Sequence, residues 1–149
     1  MNEDYRDILA ALLKQQARFL VVGAHALAVH GYPRATVDLD IWIDATPENA
    51  HRVWRAVADF GAPLADLDIE ESDLLRADLV AQFGLPPNRI DILTGVSGLT
   101  FAQAWENRIE GTLEGVVVPV LSLSDLRDNK RAAGRERDRA DLKGLERRD

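Results

Sequence analysis

The chain has no cysteine, a single methionine and few aromatic residues. Disulfides and thiolate metal sites are therefore excluded. It also lacks a long apolar run: the longest, residues 19–29, is interrupted by Gly23 and His25 and is too short to cross a bilayer, so no membrane partner is expected. No secretory pattern opens the sequence, and a cytoplasmic location is the expectation. No Gly-x-Ser-x-Gly, no Walker loop and no Gly-x-Gly-x-x-Gly occurs. Serine hydrolysis of that type, P-loop chemistry and dinucleotide binding thus have no support. A basic surplus is missing too, since the formal charge is −7. That argues against a dedicated duplex-binding protein.

What is present suits one core. With 149 residues, 46% of them hydrophobic, residues 1–149 are expected to form a single domain. Charge is unevenly spread: residues 1–126 carry 9 Lys/Arg against 19 Asp/Glu, and residues 127–149 carry 9 against 6. The end of the chain is either a solvated helix of alternating charge or a basic wall facing an acidic site.

Periodicity predicts helices over 4–16, 24–30, 47–60 and 101–107, with a short one over 71–76. It predicts strands over 19–22, 36–43, 79–83, 89–93, 108–113 and 116–120. Thr46 with Pro47 reads as a helix start, and Ser122 with Asp125 as an acidic capping box. Residues 122–149 are expected to be closing helices, broken at Gly134. This order predicts an α/β or α+β sandwich with a mixed sheet flanked by helices.

Chemistry concentrates in one strand. Over 36–43, Val37, Leu39, Ile41 and Ile43 fall on one face, and Thr36, Asp38, Asp40 and Trp42 on the other. Two carboxylates a few Å apart repel by roughly 3 kcal/mol at an effective dielectric near 20. A divalent cation removes that penalty, and hard oxygen ligands suit Mg²⁺. In the strand 89–93, Ile90 and Ile92 point one way while Arg89, Asp91 and Leu93 point the other, which supplies a third carboxylate. Gly23, between a strand and a helix, permits a tight turn and close backbone approach.

Strand, glycine turn, short helix and then Thr36-x-Asp38-x-Asp40 together resemble the nucleotidyltransferases of the DNA polymerase beta superfamily. Arg89-Ile-Asp-Ile-Leu-Thr94 looks like that superfamily's third-acid strand. The ending, with Lys130, Arg135, Asp138 and Asp141, is similar to the closing helices of small bacterial members related to AbiEii-type toxins. The resemblance implies a nucleotidyltransferase fold and transfer of a nucleoside monophosphate from an NTP to an acceptor hydroxyl.

By position it implies that Asp38, Asp40 and Asp91 are both catalytic and metal-binding, holding Mg²⁺ in a two-metal site, with Asp91 the general base. Gly23, Ala24, Arg34, Thr36, Lys130 and Arg135 would contact the nucleotide. Many members have Gly-Ser at the turn, whereas Ala24 offers only its backbone amide. The acceptor could be RNA such as tRNA, a protein or a small molecule, and a cognate antitoxin is a possible partner. Two alternatives stay open: a catalytically degenerate nucleotide- or partner-binding module, and an aminoglycoside-type drug nucleotidyltransferase.

Other residues read more plainly. His25 and His30 are five apart, not the four that aligns zinc ligands on a helix. His25 is close enough to the turn to line the pocket, and His51 is a surface residue. Trp42, Trp54 and Trp105 are packing residues, although Trp42 could border a nucleotide because it shares the face of Asp38 and Asp40. Lys130 shares a helical stripe with Leu126 and Ala133, so a buried ion pair with Asp138 or Asp141 competes with a phosphate contact.

Overall fold

The computed structural model describes residues 2–32, 38–62, 68–85 and 87–148, without the side chains of 146–148. Arg34 and Thr36 lie outside these residues. The chain runs α1 (Glu3–Lys14), β1 (Phe19–Val22), α2 (Gly23–Val29), β2 (Asp38–Ile43), α3 (Pro47–Phe60), a 3-10 turn (Glu71–Leu75), β3 (Val80–Phe83) and β4 (Arg89–Leu93). It continues through α4 (Phe101–Glu106), β5 (Ile109–Leu113), β6 (Val116–Val120), α5 (Leu123–Ala133) and α6 (Glu136–Arg148). Helix and strand limits differ from the periodicity by one or two residues, as fraying ends do.

The strands form one six-stranded mixed sheet in the order β3-β4-β2-β1-β6-β5. β1 runs antiparallel to β2 and parallel to β6, and β2 runs parallel to β4. Apolar residues drive this arrangement. Leu39, Ile41, Ile43, Ile90 and Ile92 are buried, together with Ile8, Leu9 and Leu12 of α1 and Ala50, Val53 and Ala56 of α3. Burying each such large side chain contributes about 1.5–3 kcal/mol relative to exposure.

Local signals explain the ends. Asn2 caps α1 by accepting from the Tyr5 amide at 3.1 Å, and Ser122 caps α5 by accepting from Asp125 at 3.1 Å. Thr46 makes no such side-chain bond; Pro47 and the Ala50 amide, which donates to the Thr46 carbonyl at 2.7 Å, start α3 instead. Buried Asn49 then ties the β1 and β2 ends together, its amide donating to the Arg18 and Asp44 carbonyls at 3.0 and 2.9 Å.

Candidate metal and nucleotide site

Strand pairing assembles the site. β2 and β4 are parallel neighbours with Asp38 opposite Arg89, Asp40 opposite Asp91 and Trp42 opposite Leu93. Residues opposite each other share a face, so the two strands bring the three carboxylates together. One ligand oxygen from each of Asp38, Asp40 and Asp91 lies within 4.8 Å of the others. Asp91 is only 6% exposed, while Asp38 and Asp40 are partly open.

Gly23 packs directly on this group. Its φ of +70° is left-handed, and a Cβ built there would collide with the Asp40 carboxylate. The glycine is thus required twice, for the turn and for the space Asp40 fills.

Burial first, and then the charges of Asp91 and Asp38, push the Asp40 carboxyl up to about 7, with Arg137 opposing the rise. Burial likewise raises Asp91, which neighbours the Asp40 and Gln82 side chains. Gln82 stands opposite Asp91 on β3. Arg89 clasps Asp38, Nε at 2.7 Å from Oδ1 and Nη2 donating to Oδ2 at 2.7 Å, and its Nε is 3.9 Å from Asp91 Oδ1. That Asp91 oxygen is buried and accepts no hydrogen bond among the described residues. The Tyr5 hydroxyl, 2.9 Å from the Pro87 carbonyl and 3.2 Å from that of Arg89, pins the start of β4. Burial and the three aspartates push that phenol up to about 12.

A cavity of ≈ 780 Å³ opens over Asp38 and Asp40. Gly23 and Ala24 form one side, and Val80, Leu93 and Val96 an apolar wall. Lys130, Arg135 and Arg137 from the α5–α6 junction form a basic one. α5 and α6 therefore pack over the cavity rather than trailing away.

The sequence singled out Asp38, Asp40, Asp91, Gly23, Ala24, Lys130 and Arg135; all but Asp91 line this cavity, and Asp91 is buried next to Asp38 and Asp40. Lys130, however, is buried with Nζ 3.2 Å from Asp138 and 3.0 Å from Asp141. Trp42 is 1% exposed and meets Phe101 edge-on at 5.2 Å, so it packs under α4 and does not border the cavity. His25 sits against Tyr5 at 5.4 Å and is absent from the cavity lining, and burial lowers its pKa. His30 pairs through Nε2 with the Leu121 carbonyl at 2.8 Å, and His51 pairs with Glu71 at the surface.

Sequence reasoning missed Arg89, Arg137, Gln82 and Tyr5 as site residues. Strand alternation carried a signal for Arg89, two residues from Asp91 on its face; Gln82 needed the β3–β4 register, and Arg137 needed the placement of α6.

No protein family matches the chain by sequence, and no curated protein does. In three dimensions the chain is similar to the crystal structure of a "putative nucleotidyltransferase" from Thermotoga maritima, with a TM-score of 0.63 and 17% identity. The match covers 97% of this chain and 91% of that one. At that identity the likeness is one of fold, and it singles out no toxin subgroup. No described helix is long and apolar enough to cross a membrane. The mixed six-stranded sheet flanked by helices is thus a nucleotidyltransferase-type fold.

Proposed function

We propose that this chain is a Mg²⁺-dependent nucleotidyltransferase, transferring a nucleoside monophosphate from an NTP to an acceptor hydroxyl with release of pyrophosphate. The observation that supports this most is the meeting of three carboxylates within 4.8 Å on the cavity side of such a fold. The donor set fits the metal: three hard oxygen ligands, one of them a buried Asp91 oxygen with no hydrogen bond among the described residues, held at a distance where like charges repel. Mg²⁺ held by Asp38, Asp40 and Asp91 would supply charge stabilisation at phosphoryl oxygens and acidify the acceptor hydroxyl.

The chain's own residues do the rest. Asp91, made more basic than an ordinary carboxylate by burial, takes the proton of the acceptor hydroxyl. The acceptor oxygen then bonds to the α-phosphorus, and the bridging oxygen leaves on pyrophosphate with the electron pair of the broken bond. Arg89 orients Asp38. Amides of Gly23 and Ala24 face phosphate oxygens from the turn, as backbone N–H groups do in anion-binding nests. By the resemblance, Arg34, Thr36, Lys130 and Arg135 would add nucleotide contacts, although Lys130 and Arg135 are already ion-paired with Asp138. We place the protein in the cytoplasm, where NTPs are abundant, as one domain with 122–149 as its closing helices, and relate it to AbiEii-type toxins acting with a cognate antitoxin. The acceptor would be RNA such as tRNA, a protein or a small molecule.

One observation favours a second reading. Ala24 brings no hydroxyl to the turn and Arg89 clasps Asp38 from both nitrogens, which suits a nucleotide- or partner-binding module with weak chemistry. Incubation with each α-labelled NTP and Mg²⁺, alone, with RNA and with an aminoglycoside panel, separates the readings. Transfer of label by the wild type but not by Asp91→Asn supports the enzyme. Label on the aminoglycoside alone marks the drug-modifying alternative, and nucleotide binding without transfer marks the binding module.

A further inference from the structure

The basic wall of the cavity carries three cations, and two of them are already engaged. Lys130 Nζ lies between Asp138 Oδ1 at 3.2 Å and Asp141 Oδ2 at 3.0 Å. Arg135 Nε donates to Asp138 Oδ2 at 2.7 Å, its Nη2 to Oδ1 at 3.3 Å, and its backbone amide to Oδ2 at 3.2 Å. Asp138 is fully buried. Two cations and two carboxylates make this network neutral; drawing Lys130 toward a ligand would break its ion pairs with buried Asp138 and Asp141, and drawing Arg135 away would remove one of the two cations on buried Asp138. Across the cavity, Val80, Leu93 and Val96 offer no charge, and Arg89 is held by Asp38.

Arg137 differs. It lines the same cavity, is exposed, and has no ion pair or hydrogen bond among the described residues. Buried Asp138, the next residue, anchors the first turn of α6 that carries it. A guanidinium offers five donors in a planar fork that matches phosphate oxygens.

We propose that Arg137 is the residue that binds the polyphosphate of the incoming NTP, while Lys130 and Arg135 act as the scaffold that holds it in place. This rests on the nucleotidyltransferase reading above. It moves the phosphate contact away from the two cations that the resemblance suggested.

The test is calorimetric titration of the full chain with Mg²⁺ and a non-hydrolysable NTP, and separately with inorganic tripolyphosphate. Wild type, Arg137→Ala, Arg137→Lys and Arg139→Ala are compared; Arg139 is exposed on α6 and does not line the cavity. Loss of a charge-assisted hydrogen bond predicts about 10- to 100-fold weaker binding of both probes to Arg137→Ala. Arg137→Lys should recover part of the affinity and Arg139→Ala all of it, with every melting temperature unchanged. Equal NTP affinity in wild type and Arg137→Ala would overturn the assignment and leave the nucleotidyltransferase reading intact. A large fall in the melting temperature of Arg137→Ala would also overturn it, by showing a structural role. Failure of the wild type to bind either probe would overturn both.

Discussion

Replacing Asp40 by asparagine separates the cost of the carboxylate cluster from its use. The side chains are isosteric, so the space above Gly23 stays filled and an amide can still donate to Asp91. Asp40 carries a folded-state pKa of about 7 against 3.8 for the free side chain, chiefly through burial and then through Asp91 and Asp38. A raised carboxyl pKa means that the folded state binds more protons, so stability falls as pH rises from the unfolded value toward the folded one. A shift of that size corresponds to on the order of 4 kcal/mol at full effect. Sharing of the proton with Asp91 and water at the cavity mouth reduce what asparagine recovers to about 1–2 kcal/mol. Melting temperature should rise by about 2–8 °C at pH 8 in a chain of this size.

The gain should widen between pH 4 and pH 7 and stay constant above, because that is the window between the two pKa values. The assay is a set of melting curves across pH for both proteins, repeated with Mg²⁺ and a non-hydrolysable NTP. Ligand at a hundred times its dissociation constant should stabilise the wild type by about 2.7 kcal/mol, and the variant should lose most of that. An Asp40→Asn protein destabilised by about 1–3 kcal/mol at every pH, the cost of orphaning a buried hydrogen-bond partner, would refute the reasoning.

Gly23→Ala should cost about 1–2 kcal/mol for the left-handed backbone alone and should also push the Asp40 carboxylate aside, so circular dichroism melts fall and Mn²⁺ affinity, read by electron paramagnetic resonance, falls with them. Arg89→Gln should lower the melting temperature of the metal-free protein at pH 8 and recover on adding Mg²⁺, since a divalent ion replaces the lost positive charge beside Asp38. Asp138→Ala should destabilise by about 3–5 kcal/mol, because Lys130 and Arg135 lose their shared partner. Burial works to raise Asp138, but hydrogen bonds from Arg135 and Lys130 outweigh it and hold the group below its ordinary value. Its contribution is then present above the unfolded pKa near 4 and lost as pH falls through the folded one, so Asp138→Asn should flatten the acid limb of the stability curve.

Much of this architecture was legible before any coordinates. Alternation in 36–43 and 89–93 placed Asp38, Asp40 and Asp91 on the polar sides of their strands, because a one-residue slip would bury charge and expose isoleucine. The Gly23 turn and the Ser122 cap were equally readable, since each has a local cause. Trp42 was not: alternation put it on the carboxylate face, but only the docking of Phe101 decides that this end of the face is covered. Helical periodicity alone keeps both roles open for Lys130, because it shows that a residue points inward without showing which carboxylates of the next helix await it. Arg137 gave no signal in a segment where cations recur every few residues, and the role proposed for it rests on Lys130 and Arg135 being paired while it is not, among the described residues.

The most direct measurement is a crystal structure of the chain with Mg²⁺ and a non-hydrolysable NTP. Metal density bridging the carboxylates of Asp38, Asp40 and Asp91, with the phosphates between the Gly23 turn and Arg137, is the predicted result. Nucleotide bound elsewhere, or a carboxylate cluster that holds no metal at saturating Mg²⁺-NTP, would contradict the account.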